Sequence, residues 1–359
     1  MSSVNTGSHK HVPIENTDNS INYNEYWADH IEPLLYTDLD KVIIPIIMPI
    51  VVTIGIIGNV LTIIVIASKN CMHTPVNMYF ANLAIADTLF LINASGYRWN
   101  SYIKSPVIDT YDIGETPKWF CPLNGFLENA GVDVALLTMF WLSVERYMAI
   151  CRPFKFKQSG FGICSMSIKI CGIIWFLGLS WNVYFLVGEH TFTYEISWPI
   201  IAVDTLPNTF TICVLRWYEF HVIYWYVTRA LNVLMIVIIV ALYTAMLISL
   251  RKSRGIAISS AGREPTSKSE CKVFLTVFVT VTVYVVCTAP FYIYVVLFRN
   301  GIAQLNHSPI NIYRLMFYIN SSVNPVIYNG MNYNFRRAFY DVYCSRCSRK
   351  KNIHTNVQI

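Results

Sequence analysis

Residues 142–153 read LSVERYMAICRP. They close a long and mostly apolar run, and there Glu145, Arg146 and Tyr147 stand together. An acid beside a guanidinium is costly inside a hydrocarbon phase. The triplet therefore marks a helix leaving that phase, a functional site, or both.

Composition places the run in context. The 359 residues are 54% hydrophobic and 13% charged, with a mean hydropathy of +0.43; ordinary soluble domains carry about 25% charged residues. Apolar runs at 43–68, 75–97, 122–147, 168–188, 223–250, 272–298 and 309–329 each reach the roughly 20 residues that a helix needs to cross a bilayer core of about 30 Å. The expected fold class is an all-α membrane protein, a seven-transmembrane helix bundle. The opening MSSVNTGSHK is polar and lacks a secretory signal, so the first run would act as a signal anchor. With residues 1–42 outside, most of the 27 Lys and Arg fall on the inner side, Lys69, Arg152, Lys155, Arg251, Lys252, Arg336 and Arg337 among them. The positive-inside tendency then expects a multi-pass plasma-membrane protein with an extracellular N-terminus and a cytoplasmic C-terminus. An anionic inner leaflet accounts for the net charge of +6, and no nucleic-acid partner is needed.

The expected organisation is a disordered extracellular tail at 1–42, the bundle at 43–330, a short amphipathic eighth helix at 331–343 lying on the inner face, and a cytoplasmic tail at 344–359. The eighth helix is read from MNYNFRRAFYD (331–341), in which bulky apolar and basic side chains alternate. Cys121 begins the third span at its outer end and Cys213 lies in the long second outer loop, both on the oxidising side, so they form a candidate disulfide. Cys344 and Cys347 follow the amphipathic stretch, where acylation competes with plain reduced thiols. Asn306-His307-Ser308 is an accessible glycosylation sequon, whereas the sequons at Asn93 and Asn320 lie within spans. The sequence has neither a metal-ligand cluster nor a phosphate-cradling glycine loop. No metal, cofactor or enzymatic activity is expected.

Polar groups inside the spans are functional candidates by default. Asn59, Asp87, Asn320, Ser321, Asn324 and Tyr328 lie in the middle or inner halves of their helices, where they can meet as a core polar network. That network could simply hold helices together, or it could switch by protonation or ion occupancy. Pro325 removes a backbone bond and allows the seventh span to bend.

Seven spans, Gly58-Asn59, LAIAD (83–87), Cys121, the ERY triplet with Pro153 downstream, Trp175 and NPVIY (324–328) together resemble the rhodopsin-like (class A) G-protein-coupled receptors, over about residues 43–345. The resemblance implies that Arg146 is held at rest by Glu145 and by an acid at the inner end of span six, here Glu270. It further implies that the inner end of span six swings outward to free Arg146 toward a heterotrimeric G protein, with Tyr147, Tyr243 and Tyr328 near the switch. Arrestin and membrane lipids are further partners it implies. The chain departs from the family where Thr288 replaces the span-six Trp of Cys287-Thr288-Ala289-Pro290. Tyr284 stands in place of Phe, Met235 in place of the span-five Pro, and Ala135 in place of a sodium-site Ser.

The outer half of the bundle is the default cavity. Helical spacing brings Arg98, Glu128 and Arg314 to its mouth, Tyr97, Phe291, Tyr292 and Tyr318 to its walls, and Asn129 with Asp133 onto another stripe of span three. Either Glu128 pairs with Arg314 or Arg98 and closes the pocket, or the set meets a ligand with positive and polar or anionic ends. Span seven lacks the retinal Lys, Glu128 stands where aminergic members carry Asp, and the second disulfide usual in chemokine receptors is missing. TPVNMYFANLAIAD and WLSVERYMAICRP look most like the peptide branch that includes the thyrotropin-releasing hormone, neuromedin U and FMRFamide-type receptors. The expected ligand is a short, amidated extracellular neuropeptide. The alternatives are a non-peptide small molecule or lipid and, from another class, an ion-coupled transporter using Asp87, Asp133 and Glu128. Repeated halves, which many transporters show, are not seen.

Overall fold

The computed structural model describes residues 35–107, 117–195, 206, 209–259, 268–300, 302 and 307–343. Asn306, Cys344 and Cys347 lie outside the described residues, and of Glu270 only the backbone is described. Seven long helices follow one another: α1 Met48–Ser68, α2 Pro75–Lys104, α3 Phe120–Cys151, α4 Cys164–Gly188, α5 Tyr218–Ser259, α6 Lys268–Arg299 and α7 His307–Met331, with a shorter α8 at Tyr333–Tyr343. Prolines set several starts. Pro75 opens α2 behind Thr74, whose hydroxyl accepts from the Asn77 amide at 3.4 Å, because proline lacks the N–H that a first turn cannot pair anyway. Pro153 ends α3 and opens a short helix, Pro153–Ser159, which stops at Gly160 with φ +72°, a left-handed cap that glycine adopts without penalty.

The helical rod containing α1 begins earlier than hydropathy alone suggests. A turn at Asp40–Val42 and a π-helical segment at Ile43–Ile47 lead into it. Pro45 sits in that segment with no amide hydrogen to give, and a local widening to π geometry accommodates the missing bond. Residues 35–42 of the expected tail thus carry structure. Leu35 forms a bridge to Val107, and Asp40 Oδ1 accepts from Asn311 Nδ2 of α7 at 2.8 Å.

A strand pair adds to the expected helical bundle. Strands β1 (Glu189–Glu195) and β2 (Thr209–Leu215) pair antiparallel, with Thr191 opposite Cys213. Their β-branched and aromatic residues suit a pleated surface. The disulfide joins Cys213 of β2 to Cys121 in the first turn of α3, with Cα atoms 5.6 Å apart, and β1 also packs against α3.

α3 is the central post, packed against α2, α4, α5 and α6, while α7 packs against α1, α2 and α6. Small residues permit the closest approaches. A Cβ on Gly55 of α1 would collide with Ser322 of α7 and Leu91 of α2, the close backbone contact that small residues allow between membrane helices. Polarity is reversed relative to a water-soluble bundle. Asn59, Asp87, Asn182 and Asn324 are buried, whereas Ile50, Ile54, Ile57 and Ile64 of α1 form an exposed stripe at helical spacing. Such a surface suits a hydrocarbon surround, where the helices satisfy their own backbone groups.

Among the described residues six helices, all but α7 of the long ones, are long and apolar enough to cross a membrane. α7 has the length, 25 residues, but Arg314 and Asn311, Asn320 and Asn324 dilute its apolar content, and the three asparagines are buried. Several helices outrun the apolar windows. α2 continues seven residues past position 97, and α5 runs 42 residues, about 63 Å at 1.5 Å per residue. Backbone bonding carries a helix past the point where hydropathy ends. In α8, Phe335, Ala338 and Val342 are buried on one face while Tyr333, Arg336, Arg337 and Tyr340 face away. Tyr328 meets Phe335 edge-on at 6.0 Å.

Candidate functional site

Two sites emerge, one at each end of the bundle, joined by a polar spine. At the disulfide end, α2 to α7 enclose a cavity of about 290 Å³. Seven residues anticipated for a pocket line it: Arg98, Glu128, Asn129, Phe291, Tyr292, Arg314 and Tyr318. Tyr97 does not. Its ring stacks on Phe120 of α3 with centroids 6.1 Å apart, and Arg98 lies over it at 5.0 Å. The step of about 100° per residue turns Tyr97 away from the face that Arg98 shares with the cavity. Glu128 Oε2 accepts from Asn124 Nδ2 at 3.5 Å, Asn129 Nδ2 donates to the Gly125 carbonyl at 2.9 Å, and Arg314 Nη1 donates to Asn311 Oδ1 at 3.0 Å. Asn311 is the residue that holds Asp40, so the segment before α1 and the cavity wall share one chain of hydrogen bonds.

α5 supplies residues that sequence reasoning overlooked: His221, Tyr224, Trp225, Thr228 and Arg229. A signal for Arg229 was present, since a guanidinium inside the apolar run 223–250 meets the same criterion that singled out Asp87. Arg229 lies 4.6 Å above the Tyr292 ring, and its Nε has no hydrogen-bond partner. Nearby, Asn182 of α4 donates to Asp133 Oδ2 at 2.9 Å and accepts from the Tyr224 hydroxyl at 3.0 Å.

Glu189, the first residue of β1, rests its carboxylate against Gly125, where a Cβ would collide with it. Burial, and then the nearby Glu128 charge, push the Glu189 carboxyl up to about 8, because both effects disfavour its ionised form.

The spine runs through the core. Asn324 Nδ2 donates to Asp87 Oδ2 at 2.8 Å, and Asn59 Nδ2 donates to the Ser321 carbonyl at 2.9 Å. Trp175 Nε1 donates to Asn82 Oδ1 at 2.8 Å, and Asn82 Nδ2 to Thr138 Oγ1 at 2.7 Å. Asn320 is buried beside them, and Pro325 packs against Gly58 of α1. Interhelical hydrogen bonds in membranes average about 0.6 kcal/mol. Such ties orient helices and can be exchanged, while packing carries most of the stability.

At the other end, Arg146 Nη2 donates to Glu145 Oε1 at 2.5 Å, with side chains 13% and 1% exposed. The second carboxylate oxygen of Glu145 and the hydroxyls of Tyr79, Tyr243 and Tyr328 are buried without a hydrogen-bond partner. Tyr328 stacks on Phe80 at 4.1 Å, and Tyr243 contacts Phe274 and Phe278 of α6. Tyr147 is half-buried against the same core. The ion pair of α3 and the unpaired hydroxyls of Tyr79 on α2, Tyr243 on α5 and Tyr328 on α7 thus lie at the same end of the bundle.

A helical bundle with an apolar outer surface, a disulfide-tethered hairpin at one end and a buried Glu-Arg pair at the other defines a membrane receptor of the rhodopsin type. The family model for the 7 transmembrane receptor (rhodopsin family) matches residues 58–328, and the chain belongs to that family. It is a multi-pass protein of the plasma membrane, and its family is one of receptors, not enzymes. Among relatives, neuromedin-U receptor 2 of Homo sapiens is 29% identical over 312 residues, covering 81% of this chain and 69% of that protein. Somatostatin receptor type 4 of Rattus norvegicus is 28% identical over 344 residues, 90% and 80% of the respective chains.

Proposed function

We propose that the chain is a cell-surface receptor that binds a short, amidated peptide at the disulfide end and activates a heterotrimeric G protein at the Arg146 end. The observation that carries the reading is the cavity, in which Arg98, Glu128 and Arg314 stand among aromatic side chains. Charges of both signs and ring faces suit a peptide, which presents both. The relatives named for neuromedin U and somatostatin favour the same reading. In this account the N-terminus and hairpin are extracellular, α8 lies on the cytoplasmic face beneath residues 344–359, and the basic loops face inside. Asn306 would carry a glycan, and Cys344 and Cys347 lipid.

Binding favours the state in which the inner end of α6 stands outward, and the ligand shifts the population toward it. Arg146 then leaves Glu145 and, on the α6 side, Glu270. Pro290 within α6 and Pro325 within α7 are the points where those helices bend. The asparagines, Ser321 and Asp87 of the spine re-pair as the helices move, and arrestin would meet the same opened face.

The test is a calcium readout in cells expressing the chain with a promiscuous G protein, challenged with amidated peptides, monoamines and lipids. A response to one peptide group supports the reading. A response to monoamines or lipids alone removes the peptide assignment, and silence in agonist-free and agonist-driven GTPγS exchange alike would count against G-protein coupling.

A further inference from the structure

We infer that the ligand presents an anionic group, a carboxylate or equivalent oxyanion, to the Arg229 guanidinium deep in the cavity. The inference rests on the receptor reading above and names the chemistry that its cavity selects. Arg229 lies eleven residues into α5, about three turns from its start, and lines the cavity wall. The lining carries the guanidiniums of Arg98, Arg229 and Arg314 and the carboxylate of Glu128.

The charge that acts on Arg229 from the described residues is that of Asp133, at a distance. Among the described residues no carboxylate stands within ion-pair distance of it, and its Nε has no acceptor. The acid in its surroundings, Asp133, is buried and already bound by Asn182 at 2.9 Å. The Tyr292 ring face at 4.6 Å supports a guanidinium without neutralising it. Arg229 is half-buried and keeps donors that no carboxylate engages, and a planar fork of donors at a cavity wall matches a carboxylate bidentately. The bland alternative is that the ring face and the more distant Asp133 suffice, with Arg229 serving only to pack α5 against α6.

The same contact links recognition to movement. Tyr292 lies two residues beyond Pro290 in α6. An oxyanion that draws the guanidinium off the ring changes the α5–α6 contact at that bend, near Thr288, which is 1% exposed and whose hydroxyl donates to the Tyr284 carbonyl at 2.8 Å.

The experiment uses the full chain in cells with the calcium readout and probes in matched pairs. One set is peptide pools identical except for Glu against Gln at each position. The other is aromatic and fatty carboxylates against their primary amides. The expected result is that the acidic member of a pair is at least about tenfold more potent, as a charge-assisted contact implies. Arg229→Gln at matched surface level should erase that preference, and Arg229→Lys should retain part of it. Equal potency within pairs overturns the inference, as does a preference that survives Arg229→Gln, or silence of every acidic probe on the unaltered receptor. The comparison within pairs needs no variant, so a folding defect in Arg229→Gln does not blunt it. Peptides that act whatever their charge leave the peptide reading standing while this inference falls. Small carboxylates that act alone, with their amides silent, uphold this inference and refute the peptide.

Discussion

Glu145→Gln should raise signalling in the absence of ligand. The Glu145 carboxylate that pairs with Arg146 is 1% exposed. An exposed pair would contribute at most about 1 kcal/mol, but a hydrogen bond to a charged group sheltered from water contributes about 1.5–3 kcal/mol. Glutamine keeps an acceptor oxygen and loses the charge, so about 1–2 kcal/mol of the resting state's advantage disappears, a factor of about 5–30 in the equilibrium. A receptor resting with about 1% in the signalling state would then hold about 5–25% there. The assay is agonist-free GTPγS exchange on membranes, normalised to surface receptor. An unchanged basal rate at equal surface level would refute the reasoning, because it would mean that the pair contributes equally to both states.

Other outcomes follow. Glu270→Ala, at the position that the family resemblance pairs with Arg146, should also raise basal exchange, and an unaltered baseline in that variant alone would confine the resting contact to Glu145. Cys121→Ala and Cys213→Ala should each abolish agonist response or surface delivery, scored by antibody labelling and calcium; a normal response in both would make the hairpin tether dispensable. Arg314→Ala should reduce agonist potency at least about tenfold with little change in surface level, whereas equal losses in both would indicate a structural role through Asn311 and Asp40. Glu189 makes the fold pH-dependent. Its carboxyl is raised to about 8, so its stabilising contribution is full below the ordinary glutamate range and is lost as pH rises through about 8. The thermal midpoint in detergent should therefore fall from pH 5 to pH 9 more steeply for the unaltered chain than for Glu189→Gln, and parallel curves would dismiss the effect.

Legibility varied with the kind of signal each element carried. The long helices announced themselves because an apolar window is a local property, and the disulfide could be read because two cysteines, Cys121 and Cys213, fall on the oxidising side of the expected topology. The helix ends were less visible: Arg98 to Lys104 extend α2 through backbone bonding that hydropathy does not register. The hairpin escaped notice because its two strands are separated in sequence and pair only across the fold, though the alternation in EHTFTYE and TFTICVL carried the preference. Tyr97 shows the limit of assigning a wall from proximity, since adjacent helical residues face different ways. Arg229 was legible by the criterion already applied to Asp87. What no single helix encodes is which residues of α5 turn toward α6, because that depends on how two rods are rotated against each other.

That rotation bears on Met235. Of the long helices, α6 and α7 carry internal prolines, while α5 runs from Tyr218 to Ser259 with Met235 where a proline would break it. An uninterrupted rod twists as a unit. Arg229 and Tyr243 stand fourteen residues apart on it, about 21 Å along the axis and about 40° apart around it. Torque applied to the rod at the cavity is therefore delivered, with little lost to bending, beside Phe274 and Phe278, so that α5 can serve as a drive shaft where a kinked helix would flex.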